Sequence, residues 1–127
     1  MIAHTVPVLY SVDLSECDAI RALTAEEISA TFAAALGRAG ATIVHAVSHA
    51  YPGAGLTCAL ILSESHAVLH TWPETGTVNI DIFACSTSLK SLDAIAELGR
   101  FFGARDVSIQ EVPRADGHLP DLVSRRP

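Results

Sequence analysis

The sequence predicts an α+β fold in which one antiparallel β-sheet carries helices on a single face. Three observations predict it. The 127 residues suffice for one domain. Strand-like and helical segments follow in the order β-α-β-β-β-β-α-β, and four successive strands favour antiparallel pairing. Residues 66–85 alternate between an apolar face and a polar face, so the apolar face requires a cover of helices.

The first strand and the first helix are predicted from the start of the chain. Residues 6–13 are rich in Val, Leu and Tyr, and a polar connection follows over 14–23. Thr24 and Glu27 match a capping box, and Gly40 stands where a helix C-cap glycine is expected. The residues at helical spacing that form the buried stripe are Ile28, Phe32, Ala35, Leu36 and Ala39.

The rest of the chain supplies five strands and a second helix. The strands are predicted at residues 42–49, 57–63, 66–74, 78–85 and 106–112. A glycine and proline loop at 51–55 joins the first two of them. The helix is predicted to start at Thr87 or Ser88 and to stop at Gly103. Its inward residues are predicted to be Leu92, Ile95 and Phe102. Residues 113–127 are predicted to be a loose tail.

The polar face of residues 66–85 carries most of the chemistry in the chain. Its members are Val68, His70, Trp72, Glu74, Asn79, Asp81, Phe83 and Cys85. The opposite face is apolar apart from one threonine. Burying His70, Glu74 and Asp81 together without a function would be costly, so the set indicates a site.

Composition and charge exclude several classes of protein. Half of the residues are hydrophobic and 17% are charged, which excludes disorder and leaves an apolar surface that a homo-oligomer would cover. The net charge of −6 argues against nucleic acid or an anionic membrane as partner and is compatible with a cationic substrate. No run approaches the ~18 apolar residues of a membrane span. The three cysteines form no C-x-x-C pair, which predicts a reducing, cytoplasmic setting.

Two histidine pairs and one serine suggest chemistries that their context does not favour. His45 with His49, and His66 with His70, have the spacing of a helical metal site, but in strands four residues span roughly 13 Å. No metal is therefore expected. Ser65 near His70 suggests a hydrolase triad, but no G-x-S-x-G sequence surrounds it.

The residues SESHAVLHTWPE, followed by DIFAC, resemble the signature of the prokaryotic S-adenosylmethionine decarboxylase proenzymes. The likeness is specific over residues 62–85, and the order of elements fits that family over nearly the whole chain. It implies self-cleavage between Glu64 and Ser65 into chains of residues 1–64 and 65–127. Ser65 would become a covalent pyruvoyl group, which forms a Schiff base with the substrate amine. No metal would then be needed.

The resemblance also assigns roles to single residues. His70 matches the histidine that assists processing, and we expect its ring to reach the cleaved bond from the following strand. Thr57 stands where the family usually has a serine that assists the same step. Cys85 matches the acid that returns a proton to the substrate carbon.

Substrate binding is implied for three further residues. Tyr51 matches an aromatic that stacks on adenine, Trp72 belongs to the same pocket, and Glu74 matches a carboxylate that binds ribose hydroxyls. After TWPE the family usually has Tyr-Gly-Tyr, where this chain has Thr75, Gly76 and Thr77. The departures touch the pocket more than the processing residues.

The family implies a homodimer in which two protomers pack sheet against sheet as a four-layer αββα sandwich and share their active sites. The expected activity is decarboxylation of S-adenosylmethionine for spermidine synthesis. Two alternatives stay open. One is a pyruvoyl-dependent decarboxylase of a basic amino acid such as ornithine or arginine. The other is an unprocessed, non-catalytic homologue, which Thr57 in place of serine suggests.

Overall fold

A computed structural model describes residues 7–53, 55–86 and 88–116 and has the predicted order of elements. The strands are β1 (Val8–Ser15), β2 (Ile43–Ala50), β3 (Leu56–Leu62), β4 (His66–Trp72), β5 (Thr77–Ala84) and β6 (Asp106–Pro113). The helices are α1 (Ala25–Arg38) and α2 (Ser91–Phe102), with a 3-10 turn at Ile20–Ala22. No helix in these ranges is long and apolar enough to cross a bilayer.

The six strands form one antiparallel sheet in the order β2-β3-β4-β5-β1-β6. The run β2 to β5 is a meander of neighbours joined by short turns. β1 enters beside β5, and β6 closes the other edge against β1. The prediction of an antiparallel sheet in an α+β fold is therefore confirmed.

Both helices lie on one face of the sheet, and the core fills the space between the two layers. The predicted stripe of α1 is buried, and the capping box at its start is present, with Glu27 N–H donating to Thr24 Oγ1 at 3.0 Å. The strand residues that face the helices include Val12, Leu60, Leu69, Ile80 and Ile82. The opposite side of the sheet, called here the open face, carries Thr57, His70, Asn79 and Asp13.

Two parts of the predicted core were wrong. Leu92 is 51% exposed, because the buried stripe of α2 runs through Ala94, Ile95, Leu98 and Phe102 and leaves Leu92 outside it. The helix also begins at Ser91 rather than at Ser88, or at Thr87, which lies outside the described residues. The connection over 14–23 is not merely polar, since Leu14, Cys17 and Ile20 belong to the core. The predicted stop of α2 is confirmed, with Gly103 at φ 66°. Of the predicted tail, residues 117–127 lie outside the described ranges.

The loop between β2 and β3 is held against β4 at Gly55. A Cβ at this position would lie 2.0 Å from the carbonyl oxygen of Thr71, so only glycine fits. The next residue, Leu56, donates its N–H to Thr71 Oγ1 at 3.0 Å, and Tyr51 N–H donates to the Gly55 carbonyl at 2.8 Å. This close approach sets Tyr51 beside the end of β4.

Candidate active site

A row of polar side chains crosses the open face perpendicular to the strands, at directly opposed register positions. In the strand register His49 lies opposite Thr57, Thr57 opposite His70, His70 opposite Asn79, and Asn79 opposite Asp13. Directly opposed residues in antiparallel strands have Cβ atoms about 4.5–5.5 Å apart, so their side chains interact. The row thus brings together polar groups from five strands.

His70 is held in the middle of this row by Thr57. Thr57 Oγ1 lies 2.6 Å from His70 Nδ1, and the Tyr51 hydroxyl lies 3.0 Å from Thr57 Oγ1. The His70 ring also contacts Tyr51, with ring centroids 5.7 Å apart, and Trp72, with centroids 4.5 Å apart. Because Nδ1 is occupied by the hydroxyl, Nε2 is the nitrogen left for proton transfer.

A cavity of about 260 Å³ lies at this end of the open face and is lined by Tyr51, Gly55, His70, Thr71, Trp72 and Glu74. The predicted substrate residues therefore meet in one place. Glu74 and Asp81 are exposed and His70 is only half-buried, so the expected joint burial of these groups does not occur within one protomer. A larger cavity of about 560 Å³ shares only Glu74 with the first and contains Arg21 instead.

Asn79 and Asp13 join this site although neither was predicted as a site residue. Trp72 Nε1–H donates to Asn79 Oδ1 at 2.6 Å, and Asn79 Nδ2 donates to Asp13 Oδ1 at 2.7 Å. Strand alternation already places Asn79 on the polar face. The link to Asp13 required the pairing of β1 with β5, which no local pattern reveals.

The predicted cleavage site lies at the other end of the open face. Glu64 and Ser65 form the turn between β3 and β4, where the Ser65 carbonyl accepts from Leu62 N–H at 2.9 Å. A small cavity of about 60 Å³ is lined by both of them. Cys85 directly follows β5, and burial, then the nearby Glu64 carboxylate, raises the pKa of its thiol.

Within one protomer, the structure does not bring His70 to the predicted cleavage site. His70 lies five positions after Ser65 along extended chain, which corresponds to roughly 16 Å at about 3.3 Å per residue. The two cavities share no lining residue. Within one protomer β4 extends away from the turn that begins it, and a role of the His70 ring in cleaving the Glu64–Ser65 bond remains a prediction.

Two other histidines of the H-x-x-x-H pairs, His66 and His49, have aromatic neighbours. His66 stacks on Phe83, with centroids 5.2 Å apart, and His49 packs edge-on against Tyr51 at 4.7 Å. Across the part of the chain that the structure describes, no group of three or more His, Cys, Asp or Glu side chains could hold a metal ion. All three cysteines are free.

Comparison with known proteins gives consistent results. A family model described as S-adenosylmethionine decarboxylase matches residues 9–115. Proteins named S-adenosylmethionine decarboxylase proenzyme are similar in sequence. That of Acidithiobacillus ferrooxidans is 34% identical over 102 residues, covering 80% of this chain and 77% of the relative. That of Pseudomonas aeruginosa is 30% identical over 115 residues, covering 90% and 72%.

A solved structure has the same fold. The crystal structure of the adenosylmethionine decarboxylase from Aquifex aeolicus superposes with a TM-score of 0.74 at 22% identity. The match covers 89% of this chain and 93% of that one.

Proposed function

The chain belongs to the S-adenosylmethionine decarboxylase family, and we propose that it is a self-processing enzyme that converts S-adenosylmethionine to its decarboxylated form and CO₂. The observation that carries the proposal is the position of Ser65, half-buried in the turn before β4, with Cys85 and the Glu64 carboxylate beside it. We place the enzyme in the cytoplasm, where its product would donate aminopropyl groups to spermidine synthesis.

Processing begins at the Glu64–Ser65 bond. Ser65 Oγ attacks the Glu64 carbonyl carbon, so that an ester replaces the peptide bond and the amine of residue 65 is freed. Elimination then breaks the Cβ–O bond, which releases residues 1–64 with a new carboxylate and leaves dehydroalanine. Water replaces the nitrogen, which leaves as ammonia, and residues 65–127 begin with a pyruvoyl group. The turn supports this chemistry, because Ser63 N–H donates to the Thr42 carbonyl at 3.0 Å and fixes the backbone before the bond.

The residues around Ser65 fit a pyruvoyl group. When present, the group supplies a ketone that condenses with the substrate amine and accepts electrons as CO₂ leaves. The substrate carbon then needs a proton, and Cys85 Sγ can hold one there. Because burial and Glu64 raise the pKa of Cys85, the thiol stays protonated at neutral pH. Proton transfer from Cys85 to the substrate carbon therefore slows only as the pH rises through the raised pKa of this thiol.

A second protomer would complete the site. Ser65 and Cys85 lie at one end of the open face, and His70 and Trp72 lie at the other. A twofold axis that lies between two open faces and runs across the strands would bring the first end of each protomer onto the second end of its partner. Exposed apolar side chains on this face support such packing; they include Val47, Ile61, Trp72 and Val112. A cavity of about 260 Å³ is also below the about 300–1,000 Å³ usual for small-molecule sites, so a second wall is expected.

The intact mass of the purified protein under denaturing conditions tests processing. Two fragments divided between Glu64 and Ser65 are expected, and the second should have the mass of a pyruvoyl-started chain. Ser65→Ala should remain one uncut chain. Cys85→Ala should still be cut but turn over slowly. A single full-length mass from the wild type would reject the proposal in favour of the non-catalytic homologue.

Mixing two inactive variants tests whether the site is shared. Ser65→Ala keeps His70 but cannot be cut, and His70→Ala keeps Ser65 but lacks the histidine. In a mixed dimer one site regains both groups, so random co-assembly should cut about half of the His70→Ala chains. No cutting of co-expressed chains, together with monomers in gel filtration, would overturn the shared site.

Substrate choice rests on Tyr51, Trp72 and Glu74. Two aromatic rings near a carboxylate suit an adenosyl group, and the acidic open face suits a sulfonium. Thr75 and Thr77, in place of the aromatic residues usual in the family, leave room for the alternative of a basic amino acid. A panel of S-adenosylmethionine, ornithine and arginine on one preparation separates the two: CO₂ release from an amino acid alone would reject the nucleoside substrate.

A further inference from the structure

Asn79 and Asp13 form a hydrogen-bonded relay to Trp72. We propose that Asn79, oriented by Asp13, is a positioning residue that fixes the Trp72 indole as a wall of the substrate cavity. The relay crosses three strands, from β1 through β5 to β4. This inference rests on the proposed function for the identity of the substrate.

The Asn79 amide makes both of these hydrogen bonds because it carries a donor and an acceptor. The indole N–H of Trp72 is a donor only, and an ionised Asp13 carboxylate is an acceptor only. A side chain between them must accept from one and donate to the other, as the Asn79 amide does at 2.6 and 2.7 Å. Rotating the amide by half a turn would oppose donor to donor and oxygen to carboxylate. Asp13 therefore determines which atom Asn79 offers to the indole.

Trp72 has little else to hold it. It is the last residue of β4 and is 42% exposed. Its cross-strand neighbour is Thr77, whose small side chain gives little lateral packing. The His70 ring contacts the indole at 4.5 Å, and the bond to Asn79 supplies a directional restraint. Without that bond, the ring would be free to sample other rotamers.

The effect of the relay should fall on substrate binding. The single N–H of the Trp72 indole bonds to Asn79 and not to Ser65 or Cys85, so loosening the indole leaves in place the serine proposed for chain cleavage and the thiol proposed for protonation. An anchored ring that stacks on the substrate lowers KM, because its ordering is complete before binding. Loosening it should raise KM and leave kcat nearly unchanged.

The chain contains one tryptophan, so its fluorescence reports on Trp72 alone. Asn79→Leu removes both hydrogen bonds, and Asn79→Asp sets two carboxylates against each other. Both variants should shift the emission to longer wavelength, increase quenching by acrylamide and raise KM about three- to ten-fold. Ser108→Ala, which changes the residue opposite Asp13 on β6, is the matched control and should alter neither signal.

A swapped pair separates positioning from general damage. Asp13→Asn combined with Asn79→Asp keeps the net charge and lets the carboxylate at position 79 accept from both neighbours. It should restore the emission, the quenching and KM toward wild type. Unchanged fluorescence and KM in Asn79→Leu, or a swap no better than Asn79→Asp alone, would overturn the relay. An uncut or inactive wild type would instead reject the proposed function, while the fluorescence series still decides whether Asn79 anchors Trp72.

Discussion

Replacing Thr57 by valine removes one hydroxyl and keeps the shape of the side chain. In the structure this hydroxyl lies 2.6 Å from His70 Nδ1 and 3.0 Å from the Tyr51 hydroxyl. If Thr57 only orients the imidazole, losing one hydrogen bond costs about 1 kcal/mol, which slows cleavage about five-fold. If the hydroxyl itself moves a proton during processing, the loss should be about 10²–10⁴-fold. The size of the effect therefore decides between positioning and proton transfer.

The assay is the time course of chain cleavage, followed by intact mass from freshly purified precursor. Thr57→Ser keeps the hydroxyl and frees its rotamer, so cleavage should be at least as fast as in wild type. Tyr51→Phe removes only the outer hydrogen bond and should leave cleavage within about two-fold of wild type. Wild-type cleavage in Thr57→Val would refute a role of the hydroxyl in processing.

Two further substitutions test local features at the two ends of the open face. Glu64→Gln removes one of the two causes that raise the pKa of Cys85. In an uncut Ser65→Ala background, iodoacetamide should therefore label Cys85 faster at mildly alkaline pH, as measured by peptide mass spectrometry. Equal or slower labelling would contradict a contribution of Glu64 to this pKa. Gly55→Ala sets a Cβ 2.0 Å from a carbonyl oxygen of β4 and should lower the free energy of unfolding by about 1–3 kcal/mol in denaturant titrations. Gly37→Ala has open space around its Cβ and should raise the free energy of unfolding by about 0.5–1 kcal/mol. Equal effects of the two substitutions would contradict the close approach at Gly55.

The elements of the fold could be predicted because their signals are local. Alternation in residues 66–85 separated the buried face of β4 and β5 from the open face, and the capping box of Thr24 and Glu27 located the start of α1. Burial in the segment after β1 could not be predicted this way. Cys17 is buried in a segment that packs against a turn far along the chain, where its N–H donates to the carbonyl of Gly76 at 2.9 Å.

The members of the site could be predicted more readily than their arrangement. Residue type and the family signature selected Ser65, His70 and Cys85. The position of Cys85 beside the Glu64–Ser65 turn depends on the register of β4 with β5, whereas the distance from Ser65 to His70 follows from the extended strand between them. The same is true of Asn79, whose position on the polar face was predicted but whose bond to Asp13 depends on β1 lying beside β5.

The polar groups of the open face have little desolvation cost in one protomer, since Glu74 and Asp81 are exposed to water and His70 is half-buried. They would lose their water only when a second open face covers them. The hydrogen bonds of His70 to Thr57 and of Asn79 to Asp13 are already made in the single protomer, so these side chains enter the assembly satisfied. A dry, ordered site would therefore form only in the dimer, which would tie processing and catalysis to association.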